Sequence, residues 1–280
     1  MERQRRRSIA VMVICRDEAD RIEPCLQSVA GWADEIVVLD SGSTDDTISI
    51  ARRYTDKVWQ TDWPGYGPQR NRALQKISSE WVFVVDADER VPPELRAEID
   101  AVLRQAELDT TLFKIPWRNY LFGEPLRHGR YTAPQARLFL HQGARYRDHQ
   151  VHESLLLPVR RERTLKAALD HHSWRDYRHL QQKHVQYAWL LAQQKYARGE
   201  RGSLGFATIR FFADFLHQYF FRFSVLDGWR GALISLVLAQ YGFHKYAALR
   251  TMECADRASR QTAAAIGSGK SAATAASQAL

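Results

Sequence analysis

Cysteine is scarce in this 280-residue chain: Cys15, Cys25 and Cys254 stand apart, with no C-x-x-C spacing and no pairing pattern. That excludes a disulfide framework and a thiolate zinc site, and a reducing cytoplasm fits. Long hydrophobic runs are missing too. No stretch reaches the roughly 20 apolar residues that span a bilayer. The opening MERQRRRSIAVMVIC begins like a signal peptide, yet it is interrupted at Arg16 with no small-residue cleavage site after it, so it reads as a basic tail and a first strand. Neither G-x-x-x-x-G-K-[ST] nor G-x-G-x-x-G occurs, which excludes a P-loop and a dinucleotide-binding turn. There is no RNP-like or zinc-finger pattern, and the basic residues are dispersed. The surplus of 40 basic over 32 acidic residues therefore points to phosphates or anionic lipid as partners and away from nucleic acid.

What is present alternates. Ile9 to Cys15 is a continuous β-prone run, as a strand covered on both faces requires. RDEADRIEPCLQSVAGW sets Ile22, Leu26 and Val29 on one helix face and stops at Gly31. DEIVVLD is a second strand, followed by a Ser/Gly/Asp turn and a helix over Thr47 to Tyr54. Val58 and Trp59 mark a short third strand before the loop and helix of PGYGPQRNRALQKI, and WVFVVDADER carries a fourth. This rhythm predicts an α/β domain over residues 1–175, its mostly parallel sheet flanked by helices. Residues 176–258 read as a helical, aromatic-rich region, and 259–280, small, polar and low in complexity, as a disordered tail.

In an open parallel sheet, ligands bind beyond the carboxyl ends of the strands. Three strands run into polar or acidic groups there, in ICRDE, VVLDSGSTDD and VVDADER, so the three ends should converge on one edge. One acidic strand end is ordinary punctuation; three on one edge make a site. In Asp86-Ala87-Asp88 alternate residues face the same side, so both carboxylates can share one cation or one ribose. Hard oxygen ligands with no His or Cys beside them suit Mg²⁺ or Mn²⁺ held together with a diphosphate. Asp40, ahead of its turn, is placed to accept hydrogen bonds from a base or ribose. Ser43 to Thr47 reads as an N-cap box that starts a helix with Asp45 and Asp46 in its first turn. Arg70 and Arg72 are either site cations or solvated helix charges, and Arg70 is favoured because it opens the helix after the Gly/Pro loop.

In this order the motifs resemble the GT-A fold of family 2 glycosyltransferases. ICRDEADRIEPCLQSVAGWADEIVVLDSGSTDDT, GYGPQRNRAL, WVFVVDADER, ARLF and VHE are similar to the lipopolysaccharide-core branch, whose members place β-linked glucose on inner-core heptose. The likeness covers residues 8 to 155, and FSVLDGWRGALISLVLAQYGFHKYAALR is similar to that branch's C-terminal segment. One departure is plain: the first motif reads Arg16-Asp17-Glu18 where the family more often has Asn-Glu-Glu. The resemblance implies a metal-dependent, inverting hexosyltransferase using a UDP-sugar, UDP-glucose for this branch, and a lipid-anchored saccharide acceptor. It implies a nucleotide-sugar site of Cys15, Glu18, Asp40, Arg70 and Asp86, and a metal site for Mg²⁺ or Mn²⁺ at Asp88, with Asp86 and His152.

An inverting transfer needs a general base for the acceptor hydroxyl, and its oxocarbenium-like transition state favours a neighbouring carboxylate. Glu153 in DHQVHES is the first candidate and Asp148 the second. His152 is a metal ligand, an acceptor contact or an ordinary loop histidine. His171 and His172 either complete a metal site or are structural. Two rival readings stand beside this one: transfer of a sugar to polyprenyl phosphate or another glycan, and a non-catalytic glycan- or nucleotide-binding scaffold. The intact D-x-D and Glu153 favour catalysis.

Farther on, Phe206, Ile209, Phe212, Leu216, Tyr219 and Phe223 fall on one helical stripe. Phe211, Phe215 and Phe221 lie outside it, so the apolar surface is wider than one core contact needs. Such a region is either a helical subdomain packed on the catalytic core or an interfacial contact. The second reading would put the protein peripherally on the cytoplasmic membrane surface, at the inner face of a bacterial inner membrane.

Overall fold

The computed structural model describes residues 6–130, 133–147 and 154–277. It divides into two compact units, one of Met1–Arg127 and Tyr131–Ser173, the other of His128–Arg130 and Trp174–Leu280. The first unit opens with β1 (Ile9–Cys15), α1 (Ile22–Gln27), β2 (Glu35–Asp40), α2 (Thr47–Ala51), β3 (Val58–Gln60), α3 (Tyr66–Leu74) and β4 (Trp81–Val84). β5 (Glu89–Arg90) and α4 (Pro93–Leu103) follow, the helix starting on a proline whose missing N–H costs nothing there. The rest of the unit is extended: β6 (Leu112–Ile115), β7 (Trp117–Leu121), β8 (Glu124–Pro125), β9 (Gln135–Leu140), β10 (Arg145–Tyr146), β11 (Leu155–Leu156), β12 (Glu162–Thr164) and β13 (Leu169–His171).

Seven strands form the main sheet in the order β12-β6-β9-β4-β1-β2-β3. Its pairings are parallel except the two that β9 makes, with β4 and with β6. This is the α/β architecture the alternation predicts. Both faces of β1 are covered, so its alternate residues feed two cores. Ile9, Val11 and Val13 pack with residues of α1 and α4, while Ala10 and Met12 pack with Ala73 and Leu74 of α3.

Register then decides what meets at the edge. Cys15 pairs with Asp40, and Met12 with Val84, so β1, β2 and β4 deliver their carboxyl ends together. β9 runs the opposite way, pairing Leu138 with Phe83, and so presents its first residues at that same edge. A second sheet, in the order β5-β13-β7-β8, sets His171 opposite Glu89.

The second unit is helical, as its sequence suggests: α5 (Tyr177–Ala197), α6 (Leu204–Leu216), a π turn over His217–Phe221, a 3₁₀ turn over Ser224–Asp227 and α7 (Gly228–Ser277). Asp176 caps α5 by accepting from the His179 N–H at 2.7 Å, and Ser203 caps α6 by accepting from the Phe206 N–H at 3.1 Å. α7 runs to Ser277 through the segment whose composition reads as a disordered tail. Alanine is the strongest helix former, and extending an existing helix avoids the cost of nucleation. The short strap His128–Arg130 also belongs here: Asp227 accepts from the His128 backbone N–H at 3.0 Å, and its other oxygen lies 3.0 Å from His128 Nδ1. Among the described residues no helix is long and apolar enough to cross a membrane.

Gly231 shows how closely α7 meets the turn before it. A Cβ at this position would lie 1.7 Å from the Ser224 carbonyl oxygen, a backbone atom that cannot swing aside. Gly231→Ala should therefore destabilise the protein by about 1–3 kcal/mol through overpacking, despite the roughly 1 kcal/mol that alanine gains in helix propensity. Thermal unfolding of the variant checks this, and an unchanged or raised melting temperature would contradict the close approach.

Candidate active site

The loops after β1 and β2 are joined by short polar side chains. Asp40 is fully buried. Its Oδ1 accepts from the backbone N–H groups of Gly42 (2.9 Å) and Ser43 (2.8 Å), and its Oδ2 from the Ser43 hydroxyl and, at 3.8 Å, the Cys15 thiol. Four donors fill the acceptor positions of one carboxylate. Asp40 thus braces its own turn at the strand-end edge, where the sequence sets it. At Cys15 burial, then the charge of Asp40, pushes the thiol up, and the side chain is buried beside Asp40.

Ser43 and Thr44 do not start a helix, since α2 begins at Thr47 behind Asp46. They tie the two loops together. Ser43 Oγ accepts from the Asp17 N–H (2.8 Å), Thr47 Oγ1 from the Glu18 N–H (2.8 Å) and Asp45 from the Ala19 N–H (3.1 Å), while Asp17 accepts in return from the Thr44 N–H (2.8 Å). Asp17 has φ of +52°, a left-handed backbone that aspartate tolerates better than most residues. The unusual aspartate of the first motif is therefore a loop fastener.

At the end of β4 the D-x-D stretch meets three arginines. Asp86 lies between two of them: Arg70 Nη2 is 3.5 Å from Oδ1, and Arg137 Nη2 is 2.8 Å from Oδ2. Arg137 also reaches Glu89 at 2.5 Å, and its guanidinium sits 5.3 Å over the Trp117 ring. Glu89 is fully buried and accepts further bonds from the Asp86 N–H (2.8 Å) and the Trp117 indole N–H (2.7 Å). Burial pushes Glu89 up to about 7 against the pull of Arg137. Burial acts on Asp86 as well, but there Arg137 and Arg70 outweigh it and hold the carboxyl below its usual range.

Asp88 faces the other way. Its Oδ2 is 3.5 Å from Arg21 Nη1 and 3.4 Å from His171 Nε2. Arg21 in turn donates from Nε to Glu18 at 2.8 Å and from Nη2 to the same oxygen, so one guanidinium links the first loop to the D-x-D. His171 is brought here by the pairing of β13 with β5 and is braced by the Trp117 ring at 4.7 Å. Its neighbour His172 stacks on Tyr120 at 4.4 Å, and burial lowers its pKa, so it serves the second sheet. Among the described residues no group of three or more His, Cys, Asp or Glu side chains is arranged to hold a metal ion. A cation here would take two protein ligands, Asp88 and His171, and complete its shell with substrate oxygens and water, as hard divalent ions at phosphates do.

α3 supplies the last wall. Arg70 lies 5.4 Å over the Tyr146 ring of β10. Asn71 fixes that strand with two bonds, donating to the Tyr146 carbonyl (2.9 Å) and accepting from the Tyr146 N–H (2.7 Å). β10 pairs with β11, and Arg147 N–H donates to the Ser154 carbonyl at 3.1 Å. Asp148, His152 and Glu153 stand between these two anchors in sequence and lie outside the described residues. Sequence reasoning missed Arg21, Arg137 and the role of Glu89. The available signal was an arginine set between Ala136 and the apolar run Leu138 to Leu140.

The family model described as glycosyl transferase family 2 matches residues 10–162, more than half of the chain. The chain belongs to glycosyl transferase family 2. It is 36% identical over 104 residues to an uncharacterized glycosyltransferase of Rickettsia felis, which covers 37% of each chain. It is 33% identical over 120 residues to the lipopolysaccharide core biosynthesis glycosyltransferase LpsC of Rhizobium meliloti, covering 41% of this chain and 44% of LpsC. The chain thus spans less than half the length of these curated relatives. Glucosyl-3-phosphoglycerate synthase from Mycobacterium tuberculosis, solved with Mg²⁺ and UDP, shares 30% identity over 40% of this chain and 44% of its own, with a TM-score of 0.35, a likeness too slight to bear on the fold.

Proposed function

We propose that this family 2 protein moves a hexose, glucose from UDP-glucose, onto a lipid-anchored saccharide such as the inner-core heptose of lipopolysaccharide, with inversion at the anomeric carbon. The observation that carries the reading is the 3.4 Å separation of Asp88 Oδ2 and His171 Nε2 at the strand-end edge. It is longer than a good hydrogen bond. Two neighbouring ligands of one Mg²⁺ or Mn²⁺, each at about 2.1 Å, stand about 3 Å apart, so the pair fits such an ion. When bound, the ion supplies Lewis acidity to the departing diphosphate.

The chain's own groups do the rest in this reading. Arg70 meets diphosphate charge, and Asp86, kept ionised by Arg70 and Arg137, accepts from a ribose hydroxyl. Asp86 is left out of the metal set because arginines occupy both of its oxygens. Arg21 orients Asp88 and takes its own orientation from Glu18. Glu153, or failing it Asp148, receives the acceptor proton. The likeness to LpsC supports the acceptor class. A UDP-sugar donor and a lipid-anchored acceptor place the reaction on the cytoplasmic side of an inner membrane.

Calorimetric titration with UDP tests the site. Mn²⁺ is expected to tighten UDP binding by about tenfold or more, roughly 1.4 kcal/mol, and either Asp88→Asn or His171→Ala should remove that gain. UDP binding that is indifferent to both metal and Asp88, or absent in every condition, would overturn the reading and favour a scaffold.

A further inference from the structure

The second unit leaves an apolar surface uncovered, and this observation stands apart from the sugar-transfer reading. On α6, Ile209 is 67% and Phe212 59% exposed, and past the π turn Phe221 (75%), Leu226 (68%) and Trp229 (58%) continue the surface. The outward side of a surface helix ordinarily carries the charge. Here Gln218 is buried and donates to Ser224 at 3.0 Å, while the half-buried Asp214 pairs with Arg210 at 2.7 Å and lies where a Cβ on Gly242 of α7 would meet it. α6 and the following turns thus hold out to water large apolar side chains, and an apolar patch of this kind marks a contact site.

Charge selects the occupant. The acids of the stretch 204–230 are Asp214 and Asp227, and both are already paired, with Arg210 and with His128. Arg222 is exposed among the phenylalanines, and the guanidinium of Arg230 sits 4.7 Å over the Trp229 ring. Two copies meeting through this face would bring like charges together with no acids between them. Arginine and an indole beside phenylalanine and leucine suit the boundary between phosphate headgroups and acyl chains. α6 has 13 residues, about 20 Å of helix, so it would lie in that boundary without crossing it.

We propose that this face, built from α6, the two turns and the start of α7, seats in the headgroup region of an anionic bilayer. Ile209, Phe212, Phe221 and Leu226 enter the acyl boundary, and Arg222 and Arg230 meet lipid phosphates.

Co-sedimentation of the full chain with vesicles of phosphatidylcholine alone, or mixed with phosphatidylglycerol, tests it. The protein is expected to pellet with the mixed vesicles, less so at 0.5 M salt. Phe221→Asp with Leu226→Asp should lower the partition by about tenfold or more in both vesicle types, and Arg222→Glu with Arg230→Glu should remove only the preference for phosphatidylglycerol. All four side chains lie outside the candidate active site, so UDP titration with Mn²⁺ and circular dichroism on each variant separate loss of the lipid face from loss of fold or of the donor site. Protein remaining in the supernatant with mixed vesicles at low salt would overturn the proposal. So would a wild-type dimer, seen by sedimentation velocity, that Phe221→Asp with Leu226→Asp converts to monomer, since the face would then be occupied by a second copy.

Discussion

Arg137→Met should cost about 3–5 kcal/mol of stability at pH 8, and the loss should shrink as the pH falls. Arg137 is the cation shared by Glu89 and Asp86. Removing it leaves an uncompensated charge on Glu89, which is fully buried, and a weaker penalty on Asp86, whose side chain is 33% exposed and keeps Arg70. The pH dependence has a definite sign. Glu89, raised to about 7 by burial, binds its proton more tightly folded than unfolded. Its contribution to stability is greatest below the ordinary carboxylate range and is lost as pH rises through 7. Asp86, held low, contributes in the opposite sense, at neutral pH, and loses that contribution on acidification. Without Arg137 both carboxyls rise, so the variant gains on the wild type as protons are added. Denaturant unfolding at pH 8 and pH 5.5 measures the difference. Adding Glu89→Gln should recover part of the loss, because it removes the stranded charge. A variant as stable as wild type at pH 8 would mean that the buried network contributes nothing.

Asp88→Asn should reduce sugar transfer by about 100- to 1,000-fold while changing stability by less than about 1 kcal/mol. The two effects separate because the side chain keeps its volume and its partners Arg21 and His171 stand at 3.5 and 3.4 Å, too far to support the fold strongly. Turnover of UDP-glucose with a heptose-containing acceptor, followed beside thermal unfolding, tests both halves. Undiminished turnover would remove Asp88 from the mechanism, whatever the acceptor proves to be.

The alternation of strands and helices up to Val84 was legible because each buried strand is a short apolar run closed by turn residues. The convergence of three strand ends followed from parallel pairing alone. Arg137 was hidden for a related reason. A search among carboxyl ends cannot find a residue that enters the same edge from the amino end of an antiparallel strand, and orientation depends on partners, not on local pattern. His171 was seen only as a possibility, since its approach to Asp88 depends on β13 pairing with β5 far back in the chain. Asp40 was foreseen at the edge, but its bonds to the backbone N–H groups of its own turn depend on loop geometry that no residue pattern displays.

The strap His128–Arg130 imposes an order of events during synthesis. Its partner Asp227 lies 99 residues later in the chain. At roughly 5–20 residues per second, a ribosome needs about 5–20 s to make that stretch. For that interval the carboxylate that receives His128 does not yet exist. The strap is therefore seated only after Asp227 has been made.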